Sequence, residues 1–296
     1  MRFVHLKRLA FALFACPAVA VAADPAATVT LLEGSSALVR GVTRYALAEG
    51  VELHSGDIID VGDKGLAEIE FGGGAALALG PGTRILAVSI AGGKSAGGDF
   101  YALQGALKLS GVKAGAHFRL ATPVLTLQQG QGTAVLVVGG GDGSAFIESG
   151  DARLSAPAPL RLKGGDFFAR KGGQKGTVAP RPSPAFIAAL PKVFLDPLPS
   201  RLARYKGRQV QPRQIEVVSY AEVEAWLKAP PDVRRPLVPR FKPRASDPAF
   251  RSALVSNLKF HPEWDPVLYP EKYEPKKAAA GAPPGRPEPA RPAGKP

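Results

Sequence analysis

From Thr28 to about Arg170 the chain offers a strand-length apolar run roughly every 8 to 12 residues, with glycine or proline in most of the gaps. That spacing leaves little room for ordinary helices and directs the chain toward short strands in a sandwich or barrel. Expected runs are residues 29–32, 37–40, 58–61, 66–71, 75–79, 83–90, 100–103, 106–109, 117–121, 124–127, 133–138, 145–148, 152–154, 160–162 and 167–170. In the run 66–71, Ala67, Ile69 and Phe71 share one face and Glu68 and Glu70 the other, the period of two of a half-buried strand. The expectation is that Glu68 and Glu70 meet water. Gly72-Gly73-Gly74 and Gly80-Pro81-Gly82 supply reversals.

The pattern changes near Val178. Pro180, Pro182 and Pro184 form a stiff connector, and residues 185–189 and 193–195 read as helix or loop interrupted by Pro191. Ser219 with Glu222 three residues on is a capping box. Val223, Trp226 and Leu227 then share a helical face. Asp247-Pro248 opens another helix, with Phe250, Leu254 and Leu258 as its apolar stripe, and residues 261–264 begin a short final element. From Lys276 onward the composition is that of a disordered tail. The expected architecture is mainly β: a two-sheet sandwich or a short β-solenoid, followed by a partly helical, proline-rich extension. The expected boundaries are 1–23 for a signal peptide, 24–178 for the β domain, 179–275 for the basic extension and 276–296 for the tail.

Arg2, Lys7 and Arg8 precede a short apolar run, and Val21-Ala22-Ala23 fits a signal-peptidase site. The run is too short to span a bilayer. The chain is thus expected to be exported to the periplasm. Cys16, the one cysteine, follows Leu13-Phe14-Ala15, a loose lipoprotein box; its use would make the protein an outer-membrane lipoprotein. Otherwise the mature chain lacks a thiol, which excludes disulfides and thiolate chemistry. The formal charge of +13 is uneven. Residues 24–200 carry 16 Lys+Arg against 15 Asp+Glu, whereas residues 201–296 carry 19 against 10.

No chemistry-bearing constellation emerges. Gly92-Gly93-Lys94-Ser95 lacks the earlier glycine of a phosphate loop, because Val88 stands there. Gly130-Gln131-Gly132 lacks the third glycine of a dinucleotide turn, because Val135 stands there. His5, His54, His117 and His261 have no metal-ligand spacing. Asp57, Asp60 and Asp63 read as turn and solvated residues rather than a calcium loop. Glu68 and Glu70, taken as exposed, do not make a glycosidase pair. No nucleophile elbow is present. The chain is therefore expected to be non-enzymatic, without cofactor or metal and without nucleic acid.

Residues 29–138 resemble the FecR-type periplasmic domain of bacteria. The resemblance rests on Leu53-His54-Ser55-Gly56-Asp57-Ile58-Ile59 and on Gly65-Leu66-Ala67-Glu68-Ile69-Glu70-Phe71. It rests further on Ala76-Leu77-Ala78-Leu79-Gly80-Pro81-Gly82-Thr83, on Phe118-Arg119-Leu120-Ala121-Thr122-Pro123 and on Gly132-Thr133. The chain departs from the pattern at Gln131, where the family has arginine, and at Gly72-Gly73-Gly74, where it has Asp-Gly-Ser. The best-known members sense an outer-membrane transporter and signal through a membrane helix to a cytoplasmic segment. This sequence has neither of those parts, so the resemblance implies the domain without that relay.

The resulting expectation is an exported binding or scaffold protein of the cell envelope that recognises a protein partner through its FecR-like domain. The alternative is a binder of cell-wall glycan or lipopolysaccharide through the basic C-terminal third. The candidate contact residues are Arg234, Arg235, Arg240, Lys242, Arg244, Trp226 and Trp264. Tyr220, Trp226, Trp264, Tyr269 and Tyr273 are otherwise expected to pack the helices.

Overall fold

The computed structural model describes residues 26–92, 96–196 and 198–273. The expected signal peptide, most of the loop tip at 92–95 and the expected tail lie outside the described residues. Contacts divide the chain into two compact units, Met1–Glu216 and Val217–Pro296. The connector and helices after Val178 thus group with the β unit as far as Glu216.

The chain is mainly β, as its glycine-punctuated runs dictate. β1 (Ala27–Glu33), β2 (Ser36–Arg40), β3 (Thr43–Ala46), β4 (Ile58–Val61), β5 (Leu66–Phe71), β6 (Ala76–Leu79) and β7 (Arg84–Ala91) come first. β8 (Gly97–Val112), β9 (His117–Ala121), β10 (Thr126–Gly139) and β11 (Asp142–Ser155) follow. β12 (Pro159–Lys163), β13 (Phe167–Arg170), β14 (Thr177–Ala179) and β15 (Arg213–Val217) complete the set among the described residues. Three of these, β3, β14 and β15, are too short or too polar to stand out in the sequence. Conversely, β8, β10 and β11 each join two expected runs into one long strand.

All fifteen strands belong to one hydrogen-bonded sheet, and the long strands turn it into two facing layers. The first half of β8 pairs with β7 and, in parallel, with β9; its second half pairs with β6 and β10. β10 runs beside β9 and then beside β8, while β11 runs beside β13 and then beside β12. One layer therefore contains β2, β3, β4, β7, β9 and β12, and the other contains β1, β5, β6, β13 and β14. Phe71 of β5 lies edge-on to Phe100 of β8 at 5.8 Å and to Phe118 of β9 at 5.0 Å. One continuous apolar core joins Leu38, Ile59 and Ile85 of the first layer to Val29, Ile69 and Leu77 of the second. The arrangement is that of a sandwich whose layers share their long strands, and the solenoid alternative does not apply.

The bends are built from glycine. Gly105 in β8 has φ +113°, and a Cβ there would lie 2.2 Å from the Thr83 hydroxyl. Thr83 Oγ1 accepts from Ala106 N at 3.2 Å and donates to Ala106 O at 3.1 Å, so the hydroxyl replaces the ladder bonds lost at the bulge. Gly132 of β10 and Gly150 of β11 face each other across the ladder, both with positive φ. Each would drive a Cβ into backbone of the other strand.

The second unit is helical. α3 (Tyr220–Leu227) starts at the expected capping box, with Ser219 N donating to the Glu222 carboxylate at 2.7 Å. α4 (Pro231–Arg234), α5 (Leu237–Phe241), α6 (Pro248–Ser256) and α7 (Asp265–Leu268) follow. Asp247 caps α6 by accepting from Phe250 N at 2.8 Å. Val223, Trp226, Leu227, Phe241, Phe250, Leu254, Trp264 and Leu268 are buried. Two short helices of the first unit, α1 (Pro184–Ala189) and α2 (Lys192–Leu195), precede these in the chain.

Candidate binding surfaces

The expectation that Glu68 and Glu70 meet water is overturned: both are buried, with Glu70 only 4% exposed. The reason is non-local. Residues 184–196 and 198–210 cross the outer face of β5, β6 and β8 as a strap. Leu190 and Phe194 of the strap join Leu31, Leu66, Ala78 and Val135 in a second apolar cluster. Phe186 packs on Phe167 with ring centres 4.8 Å apart. Polar anchors fix the rest. Glu70 accepts from the Ser200 hydroxyl and from Arg201 N, the latter at 2.7 Å. Lys108 donates to Phe194 O and pairs with Glu148 at 2.8 Å. Farther along, the Tyr205 hydroxyl donates to Glu49 at 2.8 Å, and Val210 bridges to Val51.

Under the strap lies a cavity of about 170 Å³ lined by Glu68, Glu70, Ala76, Ala78, Lys108, Ser110, Val193, Leu198 and Ser200, among others. Register explains its shape. Glu68, Ala78 and Lys108 are successive partners across β5, β6 and β8, as are Glu70, Ala76 and Ser110. The alanines leave a floor between an acidic wall and a wall bearing Lys108. Burial, and then the neighbouring Glu70, push the Glu68 carboxyl above its ordinary range, with Arg201 opposing.

The opposite layer presents a different surface. Asp99 of β8, Arg119 of β9, Gln128 of β10, Arg153 of β11 and Arg161 of β12 are successive cross-strand partners, one per strand. Their side chains share the outward face, because Phe118, Leu127, Ala152, Leu154 and Leu162 between them point into the core. Asp151 lies opposite Lys163 in the next row. Two grooves run along this stripe. One, of about 380 Å³, is lined by Asp151, Arg153, Arg161, Lys163 and Asp166; the other, of about 200 Å³, by Asp99, His117, Arg119 and Gln128. Arg153 and Arg161 stand directly opposite one another, a like-charge pairing that weakens a ladder. Neither guanidinium has an intramolecular hydrogen bond or ion pair among the described residues.

The residues of the FecR-like resemblance hold the β unit together. Asp57, expected in a solvated turn, is 1% exposed. Its carboxylate takes Arg40 Nε at 2.9 Å and Nη2 at 2.6 Å, and also accepts from His54 N at 2.8 Å. That hydrogen bond, against the opposing cost of burial, holds the Arg40 guanidinium still more firmly charged. Thr122 Oγ1 accepts from Leu125 N at 3.0 Å and donates to Leu125 O at 2.9 Å, closing the turn from β9 into β10. The motif at Gly80-Pro81-Gly82-Thr83 delivers the hydroxyl that staples the β8 bulge.

The expected C-terminal contact residues divide by burial. Trp226 and Trp264 are 0% and 1% exposed, so they offer no surface to a partner. They lie on the helical faces that form the unit's core, and packing is their role. Arg234 pairs with Glu263 and donates to Ala229 O at 3.0 Å. Burial opposes ionisation of Glu263, yet hydrogen bonds from Arg234 and the backbone hold its carboxyl below the ordinary range. Arg244 donates to Val218 O at 2.9 Å, and the Arg240 guanidinium lies over the Phe241 ring. Arg235 and Lys242 are exposed. The structure therefore does not gather the seven residues into one surface. His261 is fully buried, with Nε2 3.0 Å from the Tyr220 hydroxyl. Burial lowers its pKa and, followed by Glu224, pushes Tyr220 up to about 12.

The sequence could not identify the arginine stripe, because its members lie in five strands whose register sequence alone does not give. Its only local signal is the alternation of Arg161 and Lys163 with Leu160 and Leu162. No group of three or more potential metal ligands occurs among the described residues, and none of their helices is long and apolar enough to cross a membrane.

No family model matches the chain, and no curated protein matches it. Two solved structures, each of a candidate anti-sigma factor from Parabacteroides distasonis, are similar to part of it at 11% identity, with TM-scores of 0.37 and 0.36. Each alignment covers 42% of this chain and 59% of the solved one. A likeness at that score carries no argument about fold or function.

Proposed function

We propose that this chain is a non-enzymatic binding protein of the bacterial envelope that recognises a protein partner through the outer face of β9 to β12. The observation that carries the reading is the opposition of Arg153 and Arg161. Two arginines placed face to face on exposed strands, without carboxylate partners, weaken the free sheet and favour an arriving anion. Arginine is also enriched at protein interfaces. The mixed signs favour a protein over a uniform polyanion. Asp99, Asp151 and Asp166 edge the same grooves and would repel a phosphate-rich polymer, whereas a protein surface can place carboxylates and cations to match. The FecR-like resemblance and the expected signal at residues 1–23 support an envelope location.

The test is in-cell crosslinking of the full chain with mass spectrometry, beside an Arg153→Glu, Arg161→Glu variant. A dominant protein partner lost from the variant is the expected result. A partner captured equally by both would remove the stripe from the account. Retention on isolated sacculi or lipopolysaccharide without any captured protein would favour the polyanion reading instead.

A further inference from the structure

The strap cavity contains a carboxylate that the fold leaves unanswered. Glu68 is nine-tenths buried, and no hydrogen bond or ion pair engages it among the described residues. Its neighbour Glu70, by contrast, accepts from the Ser200 hydroxyl and the Arg201 amide. Its carboxylate oxygens stay accessible through the cavity, where a donor from outside the fold can reach them. The cavity it lines is about 170 Å³. Its polar groups converge from three sides: Glu68 and Glu70 from β5, Ser110 from β8 and Ser200 from the strap. Ala76 and Ala78 make the floor, and Val193 and Leu198 line the strap side.

We propose that this cavity is a binding site for a small primary ammonium compound, whose charged nitrogen is seated on Glu68. An ammonium has three donors. Glu68 takes one as a charge-assisted hydrogen bond, and the Ser110 and Ser200 hydroxyls are within the same cavity for the others. The apolar floor and strap residues accept a short alkyl stem. Lys108 does not fill this role itself. Its nitrogen is held by Glu148 and Phe194 O, and its backbone lies two strands from that of Glu68, roughly 10 Å at the usual strand spacing. The site is independent of the arginine stripe, which lies on the other layer.

The experiment is isothermal titration of the full chain with ethanolamine and with putrescine, using tetramethylammonium, which has no N–H donor, at matched ionic strength. Binding of at least one primary amine but not of tetramethylammonium is expected. Glu68→Gln keeps the side-chain shape and removes the charge, and should weaken that binding roughly tenfold or more. The variant should fold, because it removes an unpaired buried charge. A second readout uses the unmodified chain. The charged groups facing Glu68 are Glu70 on its own strand, Lys108 on β8 and Arg201 on the strap. Burial raises the Glu68 carboxyl, so affinity should fall with acidification before ordinary carboxylates titrate. No heat from either amine, equal binding of tetramethylammonium, or binding that survives Glu68→Gln would each overturn the proposal.

Discussion

At the residue scale, the chain spends its buried polar groups on a few fixed tasks. Asp57 locks Arg40, Thr83 staples a bulge and Thr122 closes a turn. These roles attach to motifs that stand out in the sequence, yet only the three-dimensional register reveals them. His261 is a buried group of another kind. Burial lowers its pKa below the ordinary 6.5, so the unfolded chain takes up a proton more readily than the folded one. The stability it permits is therefore complete above the ordinary histidine range and is lost as pH falls below about 6.5. Glu263 adds a second loss, confined to pH below its ordinary 4.5. Both tryptophans of the chain, Trp226 and Trp264, lie in the helical unit, so tryptophan fluorescence reports that unit alone. Its thermal midpoint should drop between pH 7 and pH 5. In His261→Phe the midpoint should start lower, through loss of the Tyr220 contact, and stay flat over that interval.

At the element scale, strand existence was legible in the period-two runs and their glycine punctuation. So were the helix starts at Ser219 and Asp247. What stayed hidden was continuity. Gly105, Gly130 and Gly150 punctuate the sequence, but they lie inside β8, β10 and β11, with Gly105 and Gly150 paired in the ladder and Gly130 at a bulge, because partner strands carry the ladder through. Glu68 and Glu70 were placed in water for a related reason. Their strand alternates as a half-wet strand should, and the strap that covers it comes from residues more than a hundred positions later. Alternation predicts which side chains share a face, not what covers that face. The bulge in β8 gives a direct check. Thr83→Val keeps the shape but removes the hydroxyl that accepts from Ala106 N, while Ala106 O keeps its bond from Gly80 N. It should cost about 1–3 kcal/mol, read from urea unfolding of the β unit by circular dichroism.

At the scale of the whole molecule, the charge imbalance seen in sequence pointed to the C-terminal third as the contact region. The structure distributes that charge differently. Arg234 and Arg244 are bonded within the helical unit, and five of the excess cations lie in the first unit, Arg201, Arg204, Lys206 and Arg208 on the strap and Arg213 at the start of β15. The nearly neutral β region, which no composition argument would select, carries the most coherent exposed stripe. If Arg153 and Arg161 are kept opposite each other for recognition, the sheet is less stable than it could be. The most direct measurement is therefore the pairing of stability and capture in Arg161→Glu alone, which converts the like-charge pair into a cross-strand ion pair. The account predicts a β unit stabilised by roughly 0.2–1 kcal/mol together with loss of partner capture in the crosslinking assay. A variant that captures its partner as well as the unmodified chain, or a β unit destabilised by the change, would contradict it.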